Sequence, residues 1–342
     1  MGWKASMTKE KSIGDNESLN DLTIEKLRTS IIQEHKLVEN SPTDFHPFLH
    51  LYGAMSQPLI INLVRGQCIP DDVLKLDIIL KDWQKATSKF REIEQKEAGI
   101  ADNNFPIEIE QNNKLNEIMN DPLFKNTFST SPIKIQMVDV DYLVAPQRSV
   151  SMEHVDRLLK IIPDDPTLEN LIDICLSPQQ VVPSIKTLQQ TPNLVSFSSS
   201  SNDFRFLGGF VKENLTKDDM AYCLGGGQPV AAILLFIGYG VGSINILHAN
   251  NRLILNNGFH RVYALKKKGI TRIPAVVQEI GNPELEFPDN ILGLNRSYLL
   301  SHPRPVLVKD FFEEEMTTIF KLKHVVRTVQ MQWGTNQFNM AV

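Results

Sequence analysis

One segment in the second half of this 342-residue chain limits the fold more than any other, because a strand, a glycine turn and a helix follow one another without a gap. Leu253–Leu255 is apolar, and residues 256–258 (Asn-Asn-Gly) have the composition of a turn. A helix is predicted from Phe259 to Lys268, and Ile273–Ile280 is predicted to be a further strand. The segment therefore predicts an α/β (α+β) domain.

The glycine turn predicts an anion site. The first N–H groups of a helix have no intrahelical partners, and the helix dipole favours a negative charge beside them. Gly258 lets a phosphate approach the backbone, Arg261 can supply a charged bidentate contact, and His260 can donate a hydrogen bond or move a proton. Phosphate or nucleotide binding is therefore assigned to Asn257, Gly258, Phe259, His260 and Arg261.

The same residues allow a second interpretation, in which the fold is kept without a working site. Asn-Asn-Gly before a helix is also ordinary turn chemistry, and an arginine at a helix start can simply pair with a carboxylate. The charge pattern nevertheless favours binding, since no acidic residue lies between Arg252 and Arg272. An electropositive face is therefore expected around the turn.

Three parts are predicted along the chain. Residues 1–130 are expected to form a mostly α-helical domain, because apolar residues recur at helical spacing over Leu19–Val38 and Asp71–Ala98. A polar, turn-forming cluster marks the boundary that follows. Residues 131–295 are expected to form the α/β domain, and residues 296–342 a C-terminal extension.

Within the second part, alternation over Ile133–Val144 predicts a strand, and Ser151 is the expected N-cap of the next helix. A helical insertion is expected at about 160–228, with Ser184–Gln190 as one of its helices. The apolar run Val230–Ile237 is expected to be a buried central strand.

Composition excludes several classes of protein. The formal net charge of −5 argues against a dedicated nucleic-acid binder, since such proteins usually carry a basic stripe. Cys68, Cys175 and Cys223 lie far apart without metal-ligand spacing, so no metal site is predicted. No secretion signal is recognisable, and the most apolar run, Pro229–Gly242, is shorter than the ~20 residues of a membrane helix. A soluble, cytoplasmic protein without membrane contact is expected.

The strand before Gly258, the G-x-H-R turn, the lysine-rich helix, the Gly-Ile-Thr that follows and the next strand together resemble the ParB/sulfiredoxin superfamily. An upstream segment adds to the resemblance. The strand Val138–Val144, Arg148 and the helix of Ser151–Leu159 are similar to that family's opening strand, arginine and helix. The resemblance implies an elaborated domain with a small mixed sheet and helices.

The resemblance also implies a ligand. In that family a phosphate or nucleoside triphosphate is cradled at this turn, which would place Gly258, His260 and Arg261 on the phosphates, with Mg as a possible companion ion. Arg148 would face the same pocket from the other side. One departure matters, since Phe259 stands where sulfiredoxins carry their catalytic cysteine. Sulfinate reduction by that route is therefore not expected.

Two residues are candidates for catalysis. Glu153 begins the helix after the Arg148 loop and is a candidate general base or magnesium ligand, and His260 is the second candidate. For Glu153 the alternative is a carboxylate that simply suits a helix N-terminus. The leading hypothesis is a nucleotide- or phosphate-binding protein, as a phosphotransferase or nucleotide hydrolase. The alternatives are a non-catalytic scaffold whose N-terminal helical domain binds a protein partner, and a nucleic-acid-binding regulator.

Overall fold

Helices and strands are mixed along the described chain, which is an α+β protein. The computed structural model describes residues 45–340 except 130, 178–182, 202, 222, 224–226 and 241. The predicted helix Leu19–Val38 lies outside the described residues. The strands are β1 Phe45–His50, β2 Ile107–Glu108, β3 Ile133–Asp139, β4 Ser149–Ser151, β5 Lys186–Thr191, β6 Leu194–Ser199, β7 Phe204–Lys212, β8 Ala232–Tyr239, β9 Asn245–Ala249, β10 Arg252–Asn257, β11 Arg272–Glu279, β12 Asn290–Ile291, β13 Leu294–Asn295, β14 Thr318–Lys323 and β15 Arg327–Gln332. The α-helices are α1 Gln57–Gln67, α2 Pro70–Leu74, α3 Leu76–Lys96, α4 Asn113–Asn120, α5 Pro122–Thr127, α6 Met152–Ile161, α7 Leu168–Leu176, α8 Lys217–Met220, α9 Phe259–Lys267, α10 Pro283–Glu286 and α11 Arg296–Ser301.

A five-stranded mixed sheet carries the glycine turn. Its strands lie in the order β10–β9–β11–β3–β2. β11 runs parallel to β9, and the other neighbouring pairs are antiparallel. α9 follows β10 directly and leads to β11, so the predicted order of strand, turn, helix and strand is confirmed.

A second sheet joins distant parts of the chain and corrects the predicted boundary at residue 130. β1 pairs antiparallel with β14 and with β4, and β2 pairs with β3 across the predicted boundary. Phe45–Val342 form one compact unit, in place of a helical domain, an α/β domain and an extension. The boundary is wrong because pairing between strands so far apart in the chain leaves no local pattern in the sequence.

The predicted helical insertion at about 160–228 contains strands as well as helices. α7 lies within it, but Ser184–Gln190 is not a helix, because most of it belongs to β5. β5 and β15 flank β6 in a three-stranded antiparallel sheet. Exposure alternates along β5, and Thr187 and Thr191 suit a strand because β-branched side chains fit a pleated surface.

β7 and β8 form a two-stranded antiparallel hairpin. The sequence predicts a buried central strand over Val230–Ile237, whereas Ile233, Leu235 and Phe236 are exposed in β8. The prediction of burial is wrong because a continuous apolar run shows only that neither face of the strand is polar. Such a run does not show that both faces are covered.

The main core lies between the central sheet and the helices α6, α7 and α9. Ile246, Leu253 and Val276 of the sheet belong to one buried cluster with Ile172 and Leu265 of the helices. Fully burying a side chain of this kind stabilises the fold by about 1.5–3 kcal/mol. This packing holds the start of α9 against the sheet.

A smaller core forms where the sequence predicts a long helix over Asp71–Ala98. The structure divides that stretch into α2 and α3. Ala86 of α3 belongs to a buried cluster with Phe320 and Leu322 of β14, and Trp83 packs against that cluster. In the described part of the chain, no helix combines the length and the apolar character needed to cross a membrane.

Candidate functional site

Gly258, between β10 and α9, has a backbone conformation and a close contact that both require glycine. Its φ of 97° lies in the left-handed region. A Cβ at this position would lie 2.7 Å from Cγ1 of Ile244 and 3.3 Å from its Cα. A side chain here would therefore strain the backbone and displace the chain that precedes β9.

Two asparagines tie the turn to the start of β9. Nδ2 of Asn256 donates to Oδ1 of Asn245 at 2.7 Å, and Nδ2 of Asn257 donates to the carbonyl of Ser243 at 3.2 Å. The pairing of β10 with β9 shifts register between Leu255 and Asn257. Asn257, predicted to bind phosphate, thus uses its side chain in a hydrogen bond within the protein.

The N-terminus of α9 offers backbone donors. No side chain caps this end, and the first helical hydrogen bond runs from the N–H of Val262 to the carbonyl of Gly258 at 3.0 Å. The N–H groups that precede Val262 have no intrahelical acceptor, as at any helix start. They point towards the turn at the positive end of the helix dipole, an arrangement that binds anions.

A second helix N-terminus lies beside the first. Ser151 caps α6, because its Oγ accepts from the N–H of His154 at 3.4 Å. The N–H of Ser151 donates to Nε2 of His260 in α9 at 3.1 Å. The ring centroids of His154 and His260 are 4.8 Å apart. The starts of α6 and α9 therefore meet at His260, where both dipoles add positive potential.

His260 is held in its neutral form. A ring nitrogen that accepts an N–H carries no proton, so the bond from Ser151 places the ring proton on Nδ1. Desolvation, with the charges of His154, Arg261 and Arg157 acting in the same direction, lowers the pKa of His260 to about 3. His260 can therefore donate a hydrogen bond from Nδ1, and it is not a cation near neutral pH.

Positive charge accumulates at this point without a neutralising carboxylate. Among the described residues, none of His154, Arg157, His260 and Arg261 forms an ion pair. Desolvation lowers the pKa of His154, and the charges of Arg157 and Arg261 lower it further. The basic groups therefore act against one another, and a bound anion would relieve that repulsion.

Arg261 contacts the end of α7. Its Nη1 donates to the carbonyl of Ile174 at 3.1 Å. The carbonyls of the next two residues accept from the N–H of Ile244 at 2.6 Å and from Oγ of Ser243 at 2.8 Å. These donors satisfy carbonyls that a helix end leaves without partners. Arg261 thus has a structural contact, which uses one of its five N–H donors.

Asp203 acts electrostatically on Arg261, but its ion pair is with Arg205. Desolvation lowers the pKa of Arg261, and interactions with Cys175 and Asp203 oppose that change. Oδ1 of Asp203 lies 3.3 Å from Nη2 of Arg205, with which it forms an ion pair. Asp203 therefore weakens the positive potential at the turn without cancelling it.

Glu153, the candidate general base or magnesium ligand, pairs with His46 of β1. Its Oε2 lies 2.8 Å from Nδ1 of His46, and both side chains are partly exposed. The ring of His46 lies 5.1 Å from the ring of His324. Glu153 thus stands in the first turn of α6, where its charge suits the dipole, with its partner on β1 and not on α9.

Arg148 points away from the glycine turn, contrary to the expectation from the resemblance. Its Nη1 donates to the carbonyl of Ala54, and its guanidinium carbon lies 5.9 Å from the ring centroid of Tyr298. The physical reason lies in the backbone. The carbonyl of Arg148 accepts from the N–H of Leu51 at 3.0 Å, which holds this loop against the chain after β1.

His154 and Arg157, which form a basic cluster with His260 and Arg261, were not predicted from the sequence. They lie three positions apart, a spacing that places them on one face of α6. That spacing, together with the expected proximity of the two helices, is the signal that could have identified them. Phe259, predicted to contact phosphate, packs its side chain against the core and anchors the first turn of α9.

The basic cluster fits phosphate better than a metal ion. Across the part of the chain that the structure describes, no group of three or more His, Cys, Asp and Glu side chains could hold a metal. The groups around the start of α9 are nitrogen donors, whereas Mg²⁺ prefers oxygen ligands. A Mg²⁺ ion that accompanies a nucleotide would thus be held mainly by the phosphates.

Gly258, His260 and Arg261 lie at the start of α9, while Glu153 and Arg148 have their partners elsewhere. Comparison with protein-family models, curated proteins and solved structures gives no match for this chain.

Proposed function

We propose that the chain binds the phosphate group of a nucleotide or of a phosphorylated small molecule where the N-termini of α6 and α9 meet. The unneutralised charge at this point is the observation that carries the proposal. The ring of His154 lies 4.8 Å from that of His260, the charges of Arg157 and Arg261 act on both rings, and none of the three basic residues forms an ion pair with a described carboxylate. Phosphate oxygens accept several charge-assisted hydrogen bonds at once, which suits such a cluster.

The order of the elements supports a ParB/sulfiredoxin-like arrangement. β3 leads to α6, and β9, β10, α9 and β11 follow in one series, with β11 lying between β9 and β3 in the sheet. In this arrangement the phosphate would lie where α9 begins, at the end of β10. This order agrees with the resemblance carried by the G-x-H-R turn.

The geometry favours binding over turnover. Nε2 of His260 is occupied by the N–H of Ser151, and Glu153 is paired with His46. A phosphotransferase or a nucleotide hydrolase that used either residue as a base would need it free to accept a proton. Such an activity would therefore require one of these two pairs to open when substrate binds.

A second candidate function is a non-catalytic interaction protein. The exposed apolar side chains of β7 and β8 are the observation that favours it. The two functions are compatible, because the hairpin and the glycine turn are different parts of the fold.

Thermal melting of the full chain tests the phosphate proposal. The ligands are ATP, CTP, GTP, pyrophosphate and inorganic phosphate, each with and without Mg²⁺. A ligand present at about 100 times its Kd stabilises the folded state by about 2.7 kcal/mol, which raises Tm measurably. We expect a raised Tm with at least one of these ligands, and an unchanged Tm with all of them would overturn the proposal.

Two variants of α6 locate the site. Arg157→Ala removes an exposed charge beside His260, and Lys160→Ala removes an exposed charge from the last turn of the same helix. Loss of a charged hydrogen bond costs about 1.5–3 kcal/mol, so Arg157→Ala should raise Kd roughly tenfold or more. Lys160→Ala should leave Kd almost unchanged. Equal losses in both variants would indicate general attraction to positive charge and would contradict the assigned site.

A further inference from the structure

The β7–β8 hairpin exposes large apolar side chains along both of its strands. Phe206, Phe210 and Val211 of β7 and Ile233 and Leu235 of β8 are each between 47% and 73% exposed. Isolated two-stranded hairpins are marginally stable in water, and contiguous apolar patches on a protein surface mark interaction sites. The exposed side chains therefore mark the hairpin as a candidate interaction surface.

Both faces of the hairpin are apolar. The register places Phe210 opposite Leu234 and Val211 opposite Ile233, so these two pairs lie on opposite faces. Phe236 stacks on Phe210 with 5.8 Å between ring centroids, which extends the first face. A rotation of the hairpin against the rest of the protein could thus bury one face and would leave the other exposed.

The charges at the ends of the hairpin are neutralised within the chain. Arg205 pairs with Asp203 at 3.3 Å, and Lys212 pairs with Asp219 at 2.7 Å. β8 itself contains no charged residue. Both cations of the two described strands therefore have acidic partners, and the chemistry of the strands fits an uncharged, apolar partner.

The outer edge of β8 identifies that partner. In the described residues β8 pairs with β7 alone, while β7 also contacts β15. β8 also lacks the lysine, proline or inward charge with which proteins protect a sheet edge. Insertion into a bilayer would leave the edge N–H and carbonyl groups without partners, whereas another strand would satisfy them.

We propose that a second copy of this chain pairs its β8 antiparallel with the first β8. The product is a four-stranded sheet in the order β7–β8–β8–β7. Two identical strands paired antiparallel are related by a two-fold axis, so the same edge serves both copies. Apolar side chains on the same face, such as Ile233 and Leu235, become cross-strand neighbours of their counterparts.

The exposed apolar area of the hairpin is close to the area that one partner contributes to a standard interface. A half-exposed phenylalanine, leucine or isoleucine leaves about 100 Å² accessible, so the hairpin's exposed side chains together present roughly 600–700 Å². A standard interface takes about 800 Å² from each partner. Edge pairing would bury part of this area, mainly the β8 side chains that lie beside the contact between the two copies.

Sedimentation velocity of the full chain between about 1 and about 100 μM tests the proposal, because dimer formation follows protein concentration. We expect the mass to rise from 38.7 kDa towards twice that value. The double variant Ile233→Lys, Leu235→Lys should raise the dimer dissociation constant at least about 100-fold, because the lysines of one β8 would lie next to the lysines of the other. Ile319→Lys, an exposed residue on β14, is the matched control and should dimerise normally.

Three outcomes would overturn the proposal. The first is a wild-type chain that stays monomeric over the whole range, and the second is a dimer that survives the double variant. The third is a monomer that sediments with phosphatidylcholine vesicles, which would assign the hairpin to lipid. Hydrogen exchange of the wild-type β8 amides covers the case of a variant that fails to fold. Those amides should gain protection as concentration rises, and concentration-independent exchange would also contradict the pairing.

Discussion

Two arginines in this fold differ in what surrounds them. Arg304 is fully buried, and its Nη2 lies 2.7 Å from Oε2 of Glu97 and 2.6 Å from Oδ1 of Asp310. Its Nη1 also donates to Asp310 and to the carbonyl of Pro305. Burial lowers the pKa of Arg304, but the hydrogen bonds and charges of Asp310 and Glu97 outweigh burial, so the net effect is a raised pKa.

Within the described residues, Arg261 has one hydrogen bond, to the carbonyl of Ile174, and no carboxylate partner. Its neighbours include His154 and His260, whose pKa values its charge helps to lower. The N–H groups of Arg304 all donate to acceptors within the protein, so this arginine has a structural role. An excess of positive charge at two helix starts is instead what a site for an external anion requires.

The largest loss of stability is expected when the carboxylate partner of Arg304 is removed. Asp310→Asn removes the carboxylate that holds Arg304 and leaves a buried, poorly compensated charge, which costs about 3–5 kcal/mol. The matched control is Asp289→Asn, which removes a carboxylate from the exposed pair with Arg296 and should cost about 0–1 kcal/mol. Urea denaturation measures both. Equal losses of unfolding free energy in the two variants would show that the pairing of Asp310 with Arg304 stabilises the fold no more than an exposed ion pair does.

The glycine turn provides the next test. Gly258→Ala combines left-handed strain with a clash against Ile244 and should destabilise the protein by about 1–3 kcal/mol. Gly269→Ala has a similar φ of 82° but open space around the added methyl group, so it measures strain alone. The difference in free energy of unfolding between the two variants therefore gives the cost of the contact. A Gly258→Ala protein no less stable than Gly269→Ala would contradict the close approach.

His260 makes stability depend on pH. The unfolded chain takes up the ring proton near the ordinary pKa of 6.5, whereas the folded chain resists it until about pH 3. Stability is therefore complete above pH 6.5 and is lost as pH falls from there towards 3, by up to about 2 kcal/mol between pH 7 and pH 5.

The variant His260→Gln isolates this contribution. Glutamine can still accept the N–H of Ser151 but does not titrate. Buried His50, whose pKa desolvation lowers to about 4, acts in the same direction in both proteins and cancels from the comparison. Denaturation at pH 7 and pH 5 should show a smaller loss in the variant than in wild type. Parallel losses would mean that His260 is not held neutral by its surroundings.

Local patterns predicted the segment around the turn and missed what packs against it. β10, Gly258, α9 and β11 are contiguous, so apolar spacing and turn composition suffice to place them. Asp203 acts on Arg261, and Ser151 donates a hydrogen bond to His260, although both partners lie far away in the sequence. No residue spacing in the sequence indicates that these groups lie close together. Arg148 is misplaced for the same reason, since its position depends on Leu51 and Ala54.

Strand pairing limited the prediction of the wider fold in the same way. β1 lies between β14 and β4, so a short aromatic segment with a proline at Pro47 becomes a middle strand through partners far along the chain. For β8, composition identified a strand but not its exposure. Burial depends on what covers a strand, which the strand's own residues do not encode.

The smallest effect is expected from Arg157→Ala without ligand. Arg157 is exposed and adds positive charge to a cluster that already repels itself, so its removal should change the free energy of unfolding by no more than about 0.5 kcal/mol. The sign should be stabilising. Measured beside Asp310→Asn, this variant contrasts an unpaired surface charge with a buried pair. A loss of several kcal/mol would place Arg157 in the structure of the fold and not at a binding site.

The most direct test follows the ring of His260 by nuclear magnetic resonance in histidine-labelled protein, with pyrophosphate added at pH 7 and at pH 5. We expect a neutral ring with its proton on Nδ1 at both pH values before pyrophosphate is added. A change in the ring signals should then saturate with pyrophosphate, at lower concentration at pH 5, because a bound anion favours protonation of nearby histidines. A ring that stays unchanged at saturating pyrophosphate, or that is already protonated at pH 5 without it, would contradict an anion site at the start of α9.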